Sequence, residues 1–183
     1  VLIAGFGGQG IMLMGRLLAY GAIYAGLQVT FYPSYGPEMR GGTANCTVVI
    51  ADERIGSPVR SRFTHLMALN QASADRFGER VKPGGVIAYN RSLVDAPPVR
   101  ADVRRLGIPA NRIAAELGAA QAANMVAVGA LAYVLQRVTS AALLKGLRRV
   151  LPAYRQDAIA LNETAIQRGI EAARQALPAE EDA

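Results

Sequence analysis

The segment Gly5-Phe6-Gly7-Gly8-Gln9-Gly10 constrains the fold more than any other part of this chain. It follows the apolar run at residues 1–4 and precedes a long apolar stretch at residues 11–25. A glycine turn in that setting joins a buried strand to a helix. The first glycine permits the turn, the second lets a ligand approach the backbone, and the third allows close helix–strand packing. Amides at a helix N-terminus favour anions. A purely structural tight turn uses the same spacing, so the glycines alone do not assign a function.

The rest of the chain repeats the strand–helix alternation. Strands are predicted at residues 1–4, 28–32, 45–51, 65–69 and 86–89, with a short edge strand within 99–106. Pro33 is expected to end the second strand, and residues 33–43 to form a long loop. Residues 52–64 read as a polar connection, and Lys82-Pro83-Gly84-Gly85 as a turn. Helices are predicted at 11–25, 72–81, 111–117, 120–136, 141–151 and 153–176, with Pro152 as the boundary before the last. The pattern predicts a three-layer α/β/α fold with a mostly parallel sheet, a Rossmann-like first strand-turn-helix and a helical C-terminal third. Residues 1–178 read as one domain and 179–183 as an acidic tail.

Composition removes several chemistries. The 183 residues include one cysteine, Cys46, and one histidine, His65. One thiol cannot close a disulfide or hold an iron–sulfur cluster, and no His/Cys metal site can be assembled within this chain. Cysteine usage suits a reducing, cytoplasmic compartment. No apolar stretch is long enough to span a bilayer. The net charge is +6, and Lys82 and Lys145 are the only lysines. An arginine excess suits phosphate or carboxylate recognition, and equally a solvated basic surface. No Lys/Arg-rich block points to nucleic acid. Cys46 reads as a small buried thiol and His65 as a local hydrogen-bonding residue. Asn70 and Gln71 either line a crevice or cap the next helix, and Asn90 holds a comparable position. Asn124, in an Ala-rich helix, would need partners if buried.

Ordinary dinucleotide binding fits poorly. No Asp or Glu stands between Gly10 and Glu38 to meet a ribose. No Lys-Ser or Lys-Thr follows the glycines as in a phosphate-binding P-loop. The second informative segment is Tyr35-Gly36-Pro37-Glu38-Met39-Arg40-Gly41-Gly42, between two apolar strands. It places polar groups and permissive glycines where an α/β fold keeps its ligand crevice. Glu38 and Arg40 could pair with each other or meet a ligand or partner. Thr43 and Asn45 add uncharged hydrogen bonds.

Residues 5–10 and 32–46, with Ser57-Pro58, Ala68-Leu69-Asn70-Gln71 and Lys82-Pro83-Gly84-Gly85, resemble the γ subunit of 2-oxoacid:ferredoxin oxidoreductases. The loop is most similar to the 2-oxoglutarate type. The resemblance implies oxidative decarboxylation of a 2-oxoacid with coenzyme A, giving acyl-CoA, CO2 and reduced ferredoxin. Thiamine diphosphate, Mg2+ and iron–sulfur clusters would sit in α and β subunits, with a ferredoxin-like subunit as a further partner and ferredoxin as electron acceptor. This chain, inactive alone, would complete the active site of a hetero-oligomer, help bind coenzyme A and keep water out. The residues expected to contact ligand or interface are Gly5, Gly7, Gly8, Gln9, Gly10, Tyr35, Gly36, Glu38, Arg40, Gly41, Gly42, Thr43, Asn45 and Asn70. None is expected to act as an acid or base. Alternatives are the same chemistry on pyruvate, branched-chain 2-oxoacids or indolepyruvate, a stand-alone nucleotide-binding oxidoreductase, and a non-catalytic scaffold.

Overall fold

The computed structural model describes residues 1–35, 43–151 and 158–177. The expected loop residues Gly36, Glu38, Arg40, Gly41 and Gly42, the Pro152 boundary and the acidic tail lie outside them.

Six strands form one sheet: β1 (Leu2–Phe6), β2 (Gln28–Tyr35), β3 (Thr43–Ala51), β4 (Phe63–Ala68), β5 (Val81–Asn90) and β6 (Arg104–Ile108), in the order β2-β3-β1-β4-β5-β6. Adjacent strands from β1 to β6 across β4 and β5 are parallel, and β3 runs antiparallel to both β1 and β2. The mostly parallel α/β architecture is therefore as expected, with β3 the one reversed strand. The helices are α1 (Ile11–Tyr24), α2 (Gln71–Phe77), α3 (Ala110–Glu116), α4 (Ala123–Leu135), α5 (Ser140–Val150) and α6 (Ile159–Ala176).

Three local expectations change. β2 does not stop at Pro33: that residue pairs with Cys46 in register, and the strand continues to Tyr35. Only an edge strand tolerates this, because its outer N–H groups have no partner to lose. Tyr35 and Thr43 are therefore strand residues instead of loop, and Asn45 lies in β3 as expected. Lys82-Pro83-Gly84-Gly85 is not a free turn but the irregular start of β5, where the β4 register shifts between Phe63 and His65. The helix expected at 72–81 is shorter: α2 ends at Phe77 and a 3-10 turn at Gly78–Arg80 leads into β5.

Helices cover both faces unequally. On one face Ile3, Met14, Leu17, Leu18, Met67, Val126 and Leu131 belong to a large core under α1 and α4 to α6. On the other, α2 contributes Ala74 and Phe77 to a smaller core with Leu2, Leu66 and Ile87. α4 is buried without a break from Met125 to Ala132, where Ala, Gly and Val predominate. It packs against α6 through reciprocal glycines: a Cβ on Gly129 would collide with the Ile166 carbonyl, and one on Gly169 with that of Val126. Helix α1 leaves β1 on one face and α2 leaves β4 on the other. That change of face between adjacent strands opens a crevice beyond their carboxyl ends.

Candidate functional site

The carboxyl ends of β1, β4, β5 and β6 meet at one edge of the sheet. A cleft of about 200 Å³ lies there, lined by Gly8, Gln9, Leu69 and Asn90 and closed by α3 and the start of α4.

Gln9 is the organiser of the glycine turn. Its Oε1 accepts from the Phe6 N–H at 2.6 Å, and its Nε2 donates to the Leu69 carbonyl at 3.1 Å. One side chain thus ties the turn after β1 to the end of β4. Gly5 leaves it room, since a Cβ there would strike Gln9 Oε1 and Ile11 Cδ1. Gly10 is required twice over. Its φ of 77° is left-handed, and a Cβ would collide with the Asn124 amide. Gly7 is exposed at the apex of the turn, and Gly8 lines the cleft.

Asn70 resolves the choice left open by its sequence position. It is 5% exposed and caps α2, its Oδ1 accepting from Ser73 N–H at 2.8 Å. Its Nδ2 reaches Gln9 Oε1 at 3.4 Å, so it supports the turn instead of facing the cleft. Gln71 straps the following connection: its Oε1 accepts from the Asp95 and Ala96 N–H groups. Asn90, 3% exposed, does for β5 what Asn70 does for β4. Its Oδ1 accepts from Ser92 and Ala110 N–H groups at 3.2 Å each, and its Nδ2 donates to Asn111 Oδ1 at 2.7 Å.

Thr43 and Asn45 reach the same edge but not the cleft. They stand in register with Phe6 and Ala4 on β1. Cys46, the next residue, points under α1, so strand alternation turns Asn45 to the opposite face. Thr43 Oγ1 accepts from Arg76 Nη1 of α2 at 3.3 Å. Tyr35 ends β2 at this edge.

The residues that the turn motif did not reveal are Asn111, Gln121 and Asn124, all lining the cleft. Asn124 carried one sequence signal, a carboxamide inside an otherwise apolar helix. Asn111 and Gln121 carried none, because asparagine and glutamine near helix starts are ordinary.

Cys46 and His65 lie outside the cleft. Cys46 is fully buried, burial pushes its thiol up to about 12, and Sγ approaches the Ile11 carbonyl at 3.5 Å. His65 sits near the amino end of β4, where burial lowers its pKa to about 4, and its Nδ1 contacts Thr64 Oγ1 at 2.8 Å. Neither group is placed or poised for chemistry at the cleft. Among the described residues no group of three or more His, Cys, Asp or Glu side chains could hold a metal. No described helix is long and apolar enough to cross a membrane.

The pyruvate ferredoxin/flavodoxin oxidoreductase family model matches residues 1–172. Ketoisovalerate oxidoreductase subunit VorA of Methanothermobacter thermautotrophicus is 47% identical over 129 residues, 70% of this chain. The chain spans 27% of that relative's length. 2-Oxoglutarate synthase subunit KorC of Methanocaldococcus jannaschii is 33% identical over 178 residues, covering 96% of this chain and 94% of the relative. Among solved structures, the gamma subunit of keto/oxoacid ferredoxin oxidoreductase from Geobacter sulfurreducens superposes with a TM-score of 0.82 at 32% identity, covering 96% and 98% of the two chains. The 2-oxoglutarate:ferredoxin oxidoreductase of Magnetococcus marinus, solved with 2-oxoglutarate, coenzyme A and succinyl-CoA bound, superposes with a TM-score of 0.87 at 26% identity. It covers 98% of this chain and 32% of its own.

Proposed function

Because this chain belongs to the pyruvate ferredoxin/flavodoxin oxidoreductase family, we propose that it is the γ component of a 2-oxoacid:ferredoxin oxidoreductase and contributes a coenzyme A-binding edge to an active site shared with other subunits. The observation that carries this reading is the end-to-end match to KorC. The cleft beside the glycine turn supplies the place.

The reaction takes a 2-oxoacid, coenzyme A and an oxidised acceptor to acyl-CoA, CO2, a proton and two electrons on ferredoxin. Thiamine diphosphate with Mg2+ supplies the decarboxylation chemistry, and iron–sulfur clusters carry the electrons. This chain's residues do not fit either role. Its one cysteine is buried and held as a thiol, and no described acidic cluster offers metal ligands. Those groups fall to α and β subunits. What remains for this chain is to bind, orient and exclude water. Gln9 fixes the turn, Asn70 and Asn90 fix the starts of α2 and α3, and Leu69 and Leu93 give the cleft apolar wall. Closing a site to water protects a reactive intermediate from hydrolysis. Gly36, Glu38, Arg40, Gly41 and Gly42, outside the described residues, are proposed as ligand or interface contacts, together with Tyr35, Thr43 and Asn45.

A stand-alone dinucleotide enzyme is disfavoured by topology as well as by the missing acid. In a Rossmann sheet β2 lies beside β1, so that its end meets the ribose. Here β3 is inserted between them. The end of β2 is displaced by one strand width, about 4.8 Å.

The 2-oxoacid is 2-oxoglutarate on the KorC match. A branched-chain 2-oxoacid is the second reading, favoured by the 47% identity to VorA over 129 residues. Purifying the assembly through a tag on this chain tests both. Larger subunits with an iron–sulfur chromophore should accompany it and reduce a low-potential dye when given coenzyme A and 2-oxoglutarate. Turnover with 2-oxoisovalerate alone would select the second reading. A lone chain, recovered without larger subunits, would refute the proposal.

A further inference from the structure

Strand β2 ends the sheet on one side: it pairs with β3 and with no other described strand. Alternate residues of such a strand aim their backbone N–H and C=O groups outward. Pro33 belongs to the outward set, so Val29, Phe31 and Tyr35 do too. Folded proteins guard an open edge with charges, bulges or a covering segment. β2 has no charged residue and pairs without a bulge, and Val29, Thr30, Phe31 and Tyr32 are all strong strand formers. Its guard is Pro33, which protects only the far end. The surface alongside is apolar. A groove of about 410 Å³ between α1 and β2 is lined by Arg16, Ala19, Tyr20, Ile23, Val29 and Phe31. Ile23 and Tyr24 at the end of α1, and Tyr32 on β2, are 52%, 46% and 48% exposed. An uncharged edge of this kind beside an apolar groove is a surface built to pair with another chain.

We propose that the occupant is a second copy of this chain, with β2 pairing antiparallel to β2 about a two-fold axis at Thr30, so that two six-stranded sheets become one. The groove itself sets the register. Residues 16–23 of α1 and Val29 and Phe31 of β2 line it together, so Tyr20 and Thr30 stand at one level of the sheet. An axis through that level, normal to the sheet, makes the surface complementary to itself. Outward groups of Val29 bond those of Phe31 in the copy, and a β-branched side chain meets an aromatic one on the α1 face. On the other face Tyr32 lies beside Gln28 of the copy. The two Thr30 residues form a non-hydrogen-bonded pair, the closest approach in such a ladder. The Thr30 hydroxyl is buried without a hydrogen-bond partner among the described residues, and its own copy supplies one. Pro33 falls opposite Leu27, which precedes β2 and whose N–H already bonds the Ala22 carbonyl. The proline therefore costs no ladder bond and marks where pairing stops.

The helices agree with this register. α1 packs over β2 and β3, about one strand spacing from the axis, so the two α1 helices lie antiparallel about 10 Å apart, an ordinary packing distance. About Tyr20, Arg16 comes opposite Tyr24 of the copy, a cation against an aromatic ring instead of a like charge. The area is adequate. A tyrosine buries about 150–250 Å², so the half-exposed Tyr24 and Tyr32 give about 100 Å² each. With Ile23, the groove walls and the strand edge, the patch is on the order of 700 Å² per copy, close to the roughly 800 Å² of a standard interface. The inference does not rest on the coenzyme A reading: it says that an assembly built on this chain holds two copies joined through β2.

The test measures the mass of the full chain at tens of micromolar, and the copy number of this chain in the assembly purified through it. Three variants fix the register. Thr30→Cys sets two thiols within reach of a disulfide across the axis, and the buried Cys46 does not compete. It should run as a dithiothreitol-sensitive dimer after mild oxidation. Gln28→Cys places its two thiols about 14 Å apart along the strands, and should stay unbridged. Tyr24→Lys, at an exposed position that the fold tolerates, removes two cation–π contacts and opposes like charges, and should raise the dimer dissociation constant about 10-fold or more. A chain of single mass whose Thr30→Cys variant does not bridge overturns the inference. So does bridging at Gln28 as fast as at Thr30, or an unchanged dissociation constant for Tyr24→Lys. An assembly with one copy of this chain, in which a larger subunit protects the β2 amides from hydrogen exchange, names a different occupant and also overturns it. Each of these results leaves the oxidoreductase reading untouched.

Discussion

Gln9 offers the sharpest test of how the turn is built. Gln9→Ala removes the long 3.4 Å hydrogen bond from Asn70 Nδ2 and two shorter interactions of unequal weight. The Phe6 N–H lies in an exposed residue, and water replaces the lost acceptor. The Leu69 carbonyl belongs to a residue 4% exposed and loses a donor 3.1 Å away. An unsatisfied buried acceptor costs about 1–3 kcal/mol, so about 1–2 kcal/mol is expected for this partly wet site. With a urea m-value of about 2 kcal/mol/M, the midpoint should fall by about 0.5–1 M at unchanged slope. Gln9→Glu separates the donor from the shape. It keeps the acceptor for Phe6 but sets a carboxylate oxygen against the Leu69 carbonyl. Protonating that carboxyl restores the donor, so folding raises its pKa. The variant's deficit relative to wild type should then be full at pH 7 and shrink as pH falls through the raised value. An alanine variant within about 0.3 kcal/mol of wild type, well below that cost, would refute the reasoning. So would a Glu variant whose deficit is the same at pH 7 and pH 4.

Asn70→Ala should cost about 1 kcal/mol through loss of the α2 cap, seen as a lowered urea midpoint, and Asn70→Asp should recover most of it. Gly169→Ala drives a methyl into the Val126 carbonyl of α4; because the obstacle is helix backbone and cannot rotate away, a loss of about 3 kcal/mol is expected by calorimetry, near the top of the overpacking range. Cys46 should resist iodoacetamide in the native protein at pH 8 and react once it is unfolded in urea, because burial keeps it a thiol. His65, with a folded pKa near 4 against 6.5 when exposed, favours the folded state while neutral; the unfolded chain takes up its proton first, so stability should decline as pH falls from about 6.5 towards 4, and His65→Gln should flatten that slope. An imidazole titrating near 6.5 in the NMR spectrum of the folded protein would contradict this.

Much of the candidate site was legible in residues 5–10. Gly5, Gly10 and Gln9 are near one another in sequence, and their reasons are local: a left-handed φ, a side chain folding back on its own turn. Asn70 was visible as a polar residue after a strand, but its choice of cap over crevice depended on where Gln9 and Ser73 lay. Asn111 and Gln121 were not visible, because each joins the cleft only when β5, β6 and α4 are assembled. Pro33 misled for a related reason. Whether proline ends a strand depends on whether its missing N–H faces a neighbour, and β2 has none on its outer side.

The amino-acid sequence on its own determined the layered α/β class, the strand-turn-helix at residues 5–10, and that this chain's one cysteine and one histidine cannot by themselves build an iron–sulfur cluster or a His/Cys metal site. Those follow from periodicity, glycine placement and a count of ligating residues, all of which survive without knowledge of partners in space. Tertiary structure alone decided that β3 lies reversed between β1 and β2, and that an uncharged wall of carboxamides from four separate stretches closes around the turn. Strand order and cleft lining are set by contacts between residues up to about a hundred positions apart. No local pattern encodes such contacts, because each is fixed only when the two cores close on either side of the sheet.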